Sequence, residues 1–269
     1  MKIFCISIFD QNFKELKNLN LIPVGLGDTK FSKKWLSDKN GKNISRKNMN
    51  FGEYTFHYNI WKNKKLNFKS NEWIGFCSYR RFWTKKDSKI NSLEELDKII
   101  LKKPKYNWKN YDVILGQPLI FGKIKNLKLI KANIFEVIKK PSVMFKKNTL
   151  EDQFRIFHGS FFLDKAIELM PKKYQKDFLK YLNGNKFYPF NMFICKNFKI
   201  LTKFYNEIFP WLFKCEKAFK HHDLHGYNKA RIYGFLAERF MPFWFIKNFK
   251  TTTCPITFFD IKSKLKINY

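Results

Sequence analysis

The stretch from Asp38 to Trp83 constrains this chain more than any other. A polar loop, Asp38–Asn43, leads into an aromatic-rich segment of helical length that ends in Trp61-Lys62-Asn63. A short apolar run, Trp73–Cys77, then passes directly into Ser78-Tyr79-Arg80-Arg81. A buried strand explains the apolar run. Packing does not explain two adjacent arginines at its end. A planar guanidinium offers a bidentate fork to phosphate or carboxylate, so the pair points to an anion held at a strand terminus.

The rest of the chain supplies the frame for that strand. Lys2–Phe9 reads as a buried first strand, and Leu21–Gly27 as a second short strand or turn. In the latter, Gly25 and Gly27 would let the backbone approach a ligand closely. A helix is expected at about Asn50–Lys64, capped from Ser45 or Asn48, with Glu53, His57 and Ile60/Trp61 on one face. Glu53 is then a candidate buried carboxylate, paired with Arg80 or Arg81. Ser92 opens a capping box with Glu95, and an apolar stripe follows it. Tyr111–Phe121 is strand-like, with a break at Gly116-Gln117-Pro118. Thr149 can cap a helix whose first turn carries Glu151 and Asp152. Those acids either favour the helix terminus or form a catalytic carboxylate pair at a pocket. Ala166–Leu182 is helical with an interruption at Pro171, and Phe190–Cys195 is a strand. Two amphipathic helices follow, Phe198–Phe219, kinked or broken at Pro210, and Ala230–Phe245. In the second, Arg231, Glu238 and Arg239 interrupt an apolar segment, and Glu238–Arg239 reads as a structural ion pair. Thr251–Phe259 closes as a strand. Strands alternate with helices early and helices dominate late, which is the pattern of an α/β domain with a helix-rich C-terminal portion. The expected organisation is one domain over 1–269, with an α/β part at about 1–150 and a helix-rich part at about 151–269.

Charge narrows the partners. Lys and Arg number 53 against 22 Asp and Glu, a formal net charge of +31. That balance favours nucleic acid, an anionic membrane surface or a phosphorylated substrate. The basic residues are spread along the whole chain and no nucleic-acid-binding module is recognisable, so nucleic acid is the weaker reading. The five cysteines are far apart without a CxxC pair, which fits buried free thiols in a reducing compartment. No signal peptide and no run of the roughly 18–20 apolar residues that a membrane span needs can be read. A cytoplasmic protein, peripheral at the inner membrane face, is expected. No Walker loop, GxGxxG, GxSxG or HExxH occurs, and no D-x-D follows an apolar strand. His221, His222 and His225 around Asp223 form either a metal cluster or a polar loop between helices.

One resemblance draws these pieces together. Asn43-Ile44-Ser45, Lys47-Asn48, Glu53, Thr55, Trp61-Lys62-Asn63, Ile74-Gly75 and Tyr79-Arg80-Arg81-Phe82 stand in this order. Asn191-Met192-Phe193-Ile194, Trp211-Leu212-Phe213 with Glu216, and Gly234 to Arg239 continue it. The series is similar to the bacterial capsular and exopolysaccharide glycosyltransferase family catalogued as domain of unknown function 4422, with Ser78 where that family usually has His. The resemblance implies a GT-A-like nucleotide-sugar-binding fold. It implies a hexosyltransferase that moves a sugar from a nucleotide-diphosphate donor, with UDP-galactose the first choice, to a glycan or lipid-linked glycan. On that reading Tyr79, Arg80 and Arg81, with Gly25 and Gly27, bind the donor, and the two arginines replace a metal as counter-charge. No cofactor is then required, with Mn or Mg possible. Asp152, or else Glu151, serves as base, while Glu53, Asn63, His158 and Asn191 contact sugar. A nucleic-acid-binding protein and a catalytically inactive sugar-binding scaffold remain the alternatives.

Overall fold

The computed structural model describes residues 1–63, 66–122, 138, 140–144 and 148–261. Its centre is a sheet in the order β3-β2-β1-β4-β9-β6-β10. The strands are β1 (Lys2–Ser7), β2 (Ile22–Gly25), β3 (Leu36–Ser37), β4 (Ile74–Ser78), β6 (Val113–Gly116), β9 (Phe193–Cys195) and β10 (Thr251–Cys254). All run parallel except β9, which is antiparallel to both of its neighbours. Strand β5 (Arg81–Trp83) turns back from β4 and pairs with β11 (Ile256–Phe258). A separate ribbon joins β7 (Leu119–Ile120) to β8 (Lys186–Phe187). Because β9 and β10 enter the same sheet as β1 and β4, the N- and C-terminal parts of the chain share one sheet.

Parallel strands are covered on both faces, so they read as continuous apolar runs. The side-chain period of two divides each run between two cores. Phe4, Val24, Phe76, Val113 and Phe193 face the larger core. Ile3, Cys5, Cys77, Ile114 and Ile194 face the smaller one. Glycine also serves the packing here, since a Cβ on Gly75 would stand 2.8 Å from Ile194.

The larger core is closed by α3 (Tyr54–Asn63), α6 (Ser160–Leu169), α7 (Lys172–Leu182), α8 (Phe198–Phe219) and α10 (Ile232–Asn248). Helix α8 lies against α10, α6 and α3. The smaller core is covered by α1 (Phe13–Asn18) and α4 (Leu93–Ile99), together with Trp35 and Trp108. A fully buried Phe or Leu stabilises by about 1.5–3 kcal/mol, and about half of the larger core is aromatic rings. All five cysteines are buried and free. Among the described residues no helix is long and apolar enough to cross a membrane.

Several boundaries depart from the expectation. The single helix at about 50–64 is two, α2 (Asn48–Phe51) and α3, separated by Gly52 at φ 56°. Helix α8 runs unbroken through Pro210. Its packing against three other helices outweighs the one backbone hydrogen bond that proline removes. The expected strand Phe190–Cys195 begins only at Phe193, because Phe190 and Asn191 hold left-handed backbone at φ 80° and 50°.

Candidate functional site

In an open parallel sheet, ligands bind beyond the carboxyl ends of the strands where the chain switches direction of winding. Here β1 is followed by β2 on one side and later by β4 on the other, so the switch lies between β1 and β4. A cleft of about 550 Å³ opens at that point. Ile6 and Ile8 at the end of β1 and Phe76 to Arg81 at the end of β4 form one side. Phe190, Asn191 and Met192 form another. The third is a stripe on α9 (Tyr227–Ala230) and the start of α10: Tyr227, Arg231, Gly234, Phe235 and Glu238. Glu53 also reaches the cleft.

Five charged groups line it. Arg80 Nε pairs with Asp260 at 3.0 Å. Arg231 Nη2 pairs with Glu53 Oε2 at 3.1 Å, so Glu53 meets Arg231 rather than the expected Arg80 or Arg81. The other Glu53 oxygen accepts from Asn191 Nδ2 at 2.6 Å. Asn191 also donates to the Gly234 carbonyl at 3.2 Å and accepts from the Tyr54 hydroxyl at 3.2 Å, so its amide is fixed on both sides. Glu238 accepts from the Phe190 N–H at 2.6 Å and from Arg239 at 2.7 Å. Burial pushes the Glu238 carboxyl above its ordinary value, and Arg239 and the Phe190 N–H oppose that rise. Arg239 lies behind the cleft, between the Phe154 and Phe187 rings, and donates to Gln153.

Arg81 differs from the rest. Among the described residues it forms no ion pair with a carboxylate; its guanidinium lies 3.9 Å from the Phe190 ring centre and 5.6 Å from that of Phe258. Burial, and then the neighbouring Arg80, lower its pKa from the usual arginine value, but guanidinium stays charged at any working pH. A half-buried cation whose N–H donors meet no acceptor among the described residues, facing a crevice at strand ends, is suited to hold a phosphate.

The structure gathers Tyr79, Arg80, Arg81, Glu53, Asn191 and Glu238 into this cleft and leaves the other sequence candidates outside its lining. Gly25 packs on Phe31, whose ring carbon would stand 2.3 Å from an added Cβ. Gly27 makes a turn at φ 81°. Asn63 clamps the loop after Asp38: it accepts from the Lys42 N–H at 2.9 Å and donates to the Lys42 and Asn59 carbonyls. His158 sits one layer back, under Phe235 at 4.2 Å, with Nδ1 2.7 Å from the Asn228 carbonyl. Asp152 belongs to a reciprocal capping box with Thr149 at the start of α5 (Leu150–His158) and pairs with Lys140 at 2.6 Å. Burial works against its charge, yet Lys140 and the Thr149 N–H outweigh that and hold its carboxyl below the usual range. Glu151 pairs with Arg155. His221, His222 and His225 are exposed, and among the described residues no group of three or more His, Cys, Asp or Glu is placed to hold a metal.

Phe190, Tyr227, Arg231 and Gly234 escaped the sequence reading as site residues. One signal for them was present. Arg231, Gly234, Phe235 and Glu238 stand at i, i+3, i+4 and i+7, which is one face of a helix. For Phe190 no local signal existed.

Comparison with known proteins bears on the family and the fold. The family model described as domain of unknown function (DUF4422) matches residues 2–249. No curated protein matches the sequence. A solved apo structure of the bifunctional glycosyltransferase WbbM superposes with a TM-score of 0.71 at 20% identity, over 96% of this chain. The chain spans 45% of that larger one. The fold is that of a GT-A-like glycosyltransferase with a helix-rich C-terminal part.

Proposed function

We propose that this chain, which belongs to the DUF4422 family, is a glycosyltransferase that moves a hexose from a nucleoside-diphosphate donor to a hydroxyl of a growing surface polysaccharide. The observation that carries the reading is Arg81: a cation without a carboxylate partner among the described residues, in a cleft at the switch point of the sheet. The volume of about 550 Å³ suits a nucleotide sugar better than a nucleic acid strand.

In this reading the bond between the anomeric carbon and the β-phosphate oxygen breaks, and its electron pair leaves with the diphosphate. Arg81, helped by Arg80, neutralises that charge where it develops. The acceptor hydroxyl forms the new carbon–oxygen bond. Its proton passes to a carboxylate of the cleft, Glu238 or Glu53. Burial raises the pKa of the Glu238 carboxyl, which favours its taking up a proton. A UDP-linked donor, capsular or exopolysaccharide synthesis and attachment to an anionic membrane face through the +31 charge belong to the same proposal.

The test is thermal shift and calorimetry with UDP and UDP-hexoses, each in EDTA and in Mn²⁺, on wild type and Arg81→Ala. Wild type should be stabilised by UDP in EDTA. Arg81→Ala should bind at least about tenfold more weakly, the equivalent of one charge-assisted hydrogen bond. Equal affinity in the two proteins would remove Arg81 from the donor site. Failure of any nucleoside diphosphate to bind wild type would remove the transferase reading.

A further inference from the structure

We infer that Phe190 is a positioning residue that sets the plane of the Arg81 guanidinium for the donor diphosphate; the inference rests on the donor reading above. A bulky side chain at φ 80° is a backbone outlier, and its neighbour Asn191 is left-handed too. Such a conformation persists only where the surroundings impose it. They do so here: Glu238 takes the Phe190 N–H at 2.6 Å, and the Asn191 amide is held by Glu53, Gly234 and Tyr54. Packing does not account for the choice of phenylalanine at this point, since the residue is still 36% exposed. What the strained turn delivers is a ring face 3.9 Å from Arg81 Cζ.

Stacking is a particular way to fix an arginine. A carboxylate partner would hold the side chain in place, but it would cancel the charge and occupy the N–H fork. Arg231 and Arg80 each have a carboxylate on one nitrogen, Glu53 on Nη2 and Asp260 at Nε, and Arg80 also lies 4.9 Å over the Tyr79 ring. An aromatic face orients the guanidinium plane and leaves every N–H at its edge free. Arg81 is therefore pre-set and still able to bind an anion.

The experiment is a double-mutant cycle read by UDP affinity in EDTA, with kcat and KM for the donor measured alongside. Phe190→Leu should weaken UDP binding about fivefold to tenfold, the range of one cation–π contact. Phe190→Tyr, which keeps the ring, should remain within about twofold of wild type. In the Arg81→Ala background Phe190→Leu should have no further effect, because the residue it acts through is gone. Losses that multiply in the double variant, or a Phe190→Leu protein that binds like wild type, would overturn the inference while leaving the transferase reading intact. Wild type that binds no nucleoside diphosphate would remove both. Should Phe190→Leu fail to fold, Phe190→Tyr and Phe190→Trp in the same cycle carry the test, and affinity that tracks neither ring counts against it.

Discussion

Lowering the pH from 7 to 5 should destabilise this protein through two buried histidines. His57 is wholly buried among Phe76, Phe193 and Tyr54, with Nδ1 2.7 Å from the Tyr205 hydroxyl. His158 is 5% exposed, stacked on Phe235. Burial lowers the pKa of each from 6.5 to about 3, aided at His158 by Arg239. The folded state therefore keeps both rings neutral while the unfolded chain takes up protons below its own pKa. The stability they contribute is fully present above pH 6.5 and falls as the pH drops from there toward 3. Between pH 7 and 5 the loss is about 2 kcal/mol for each ring, so about 4 kcal/mol together. For a chain of this size that lowers Tm by roughly 7–10 °C. Urea midpoints at the two pH values, for wild type and for His57→Phe, measure it. The variant loses baseline stability, since the Tyr205 hydroxyl is left without its partner. Its pH-dependent loss should nevertheless be about half that of wild type. A His57→Phe protein that keeps the whole difference would refute the assignment.

Other outcomes follow from single residues. Gly52→Ala should lower stability by about 1–3 kcal/mol and weaken the site, because the backbone at φ 56° and ψ −134° disfavours a side chain and a Cβ there would lie 2.3 Å from Arg231 Nη2; chemical denaturation and donor KM read the two effects. Asp152→Ala should lose about 1 kcal/mol with its capping box while UDP affinity stays within about twofold. A collapse of turnover at unchanged affinity would instead make Asp152 the base. Asn63→Ala should loosen the loop around Gly41, seen as faster amide exchange at Lys42, whose N–H it now holds at 2.9 Å. Glu238→Gln should depress turnover more than donor affinity, and an unchanged kcat would exclude Glu238 as proton acceptor.

Much of the frame was legible because its causes are local. The run Ile3–Phe9 is apolar but for Ser7, and a strand covered on both faces needs such a run. Ser92 and Thr149 announced their helices, and both side chains accept the backbone N–H that their positions require. Arg80 and Arg81 were suspicious at sight, since no packing argument wants two guanidinia at a strand end. The same local view left the acidic pair after Thr149 open between a cap and a catalytic role. A carboxylate at a helix start serves a cap or a substrate equally well, and only its neighbours tell which.

The sequence by itself determined the class of fold, the order of elements and the arginine pair at the end of β4. Each follows from propensity, periodicity or charge within a few residues. The tertiary structure alone decided which groups share the cleft. Glu53 meets Arg231, and Glu238 meets the backbone of Phe190, across long stretches of chain. Those pairings depend on how the sheet winds about β1 and on a left-handed turn imposed by groups distant in sequence. Local spacing carries no record of either, because it is the burial of two cores that brings the segments together.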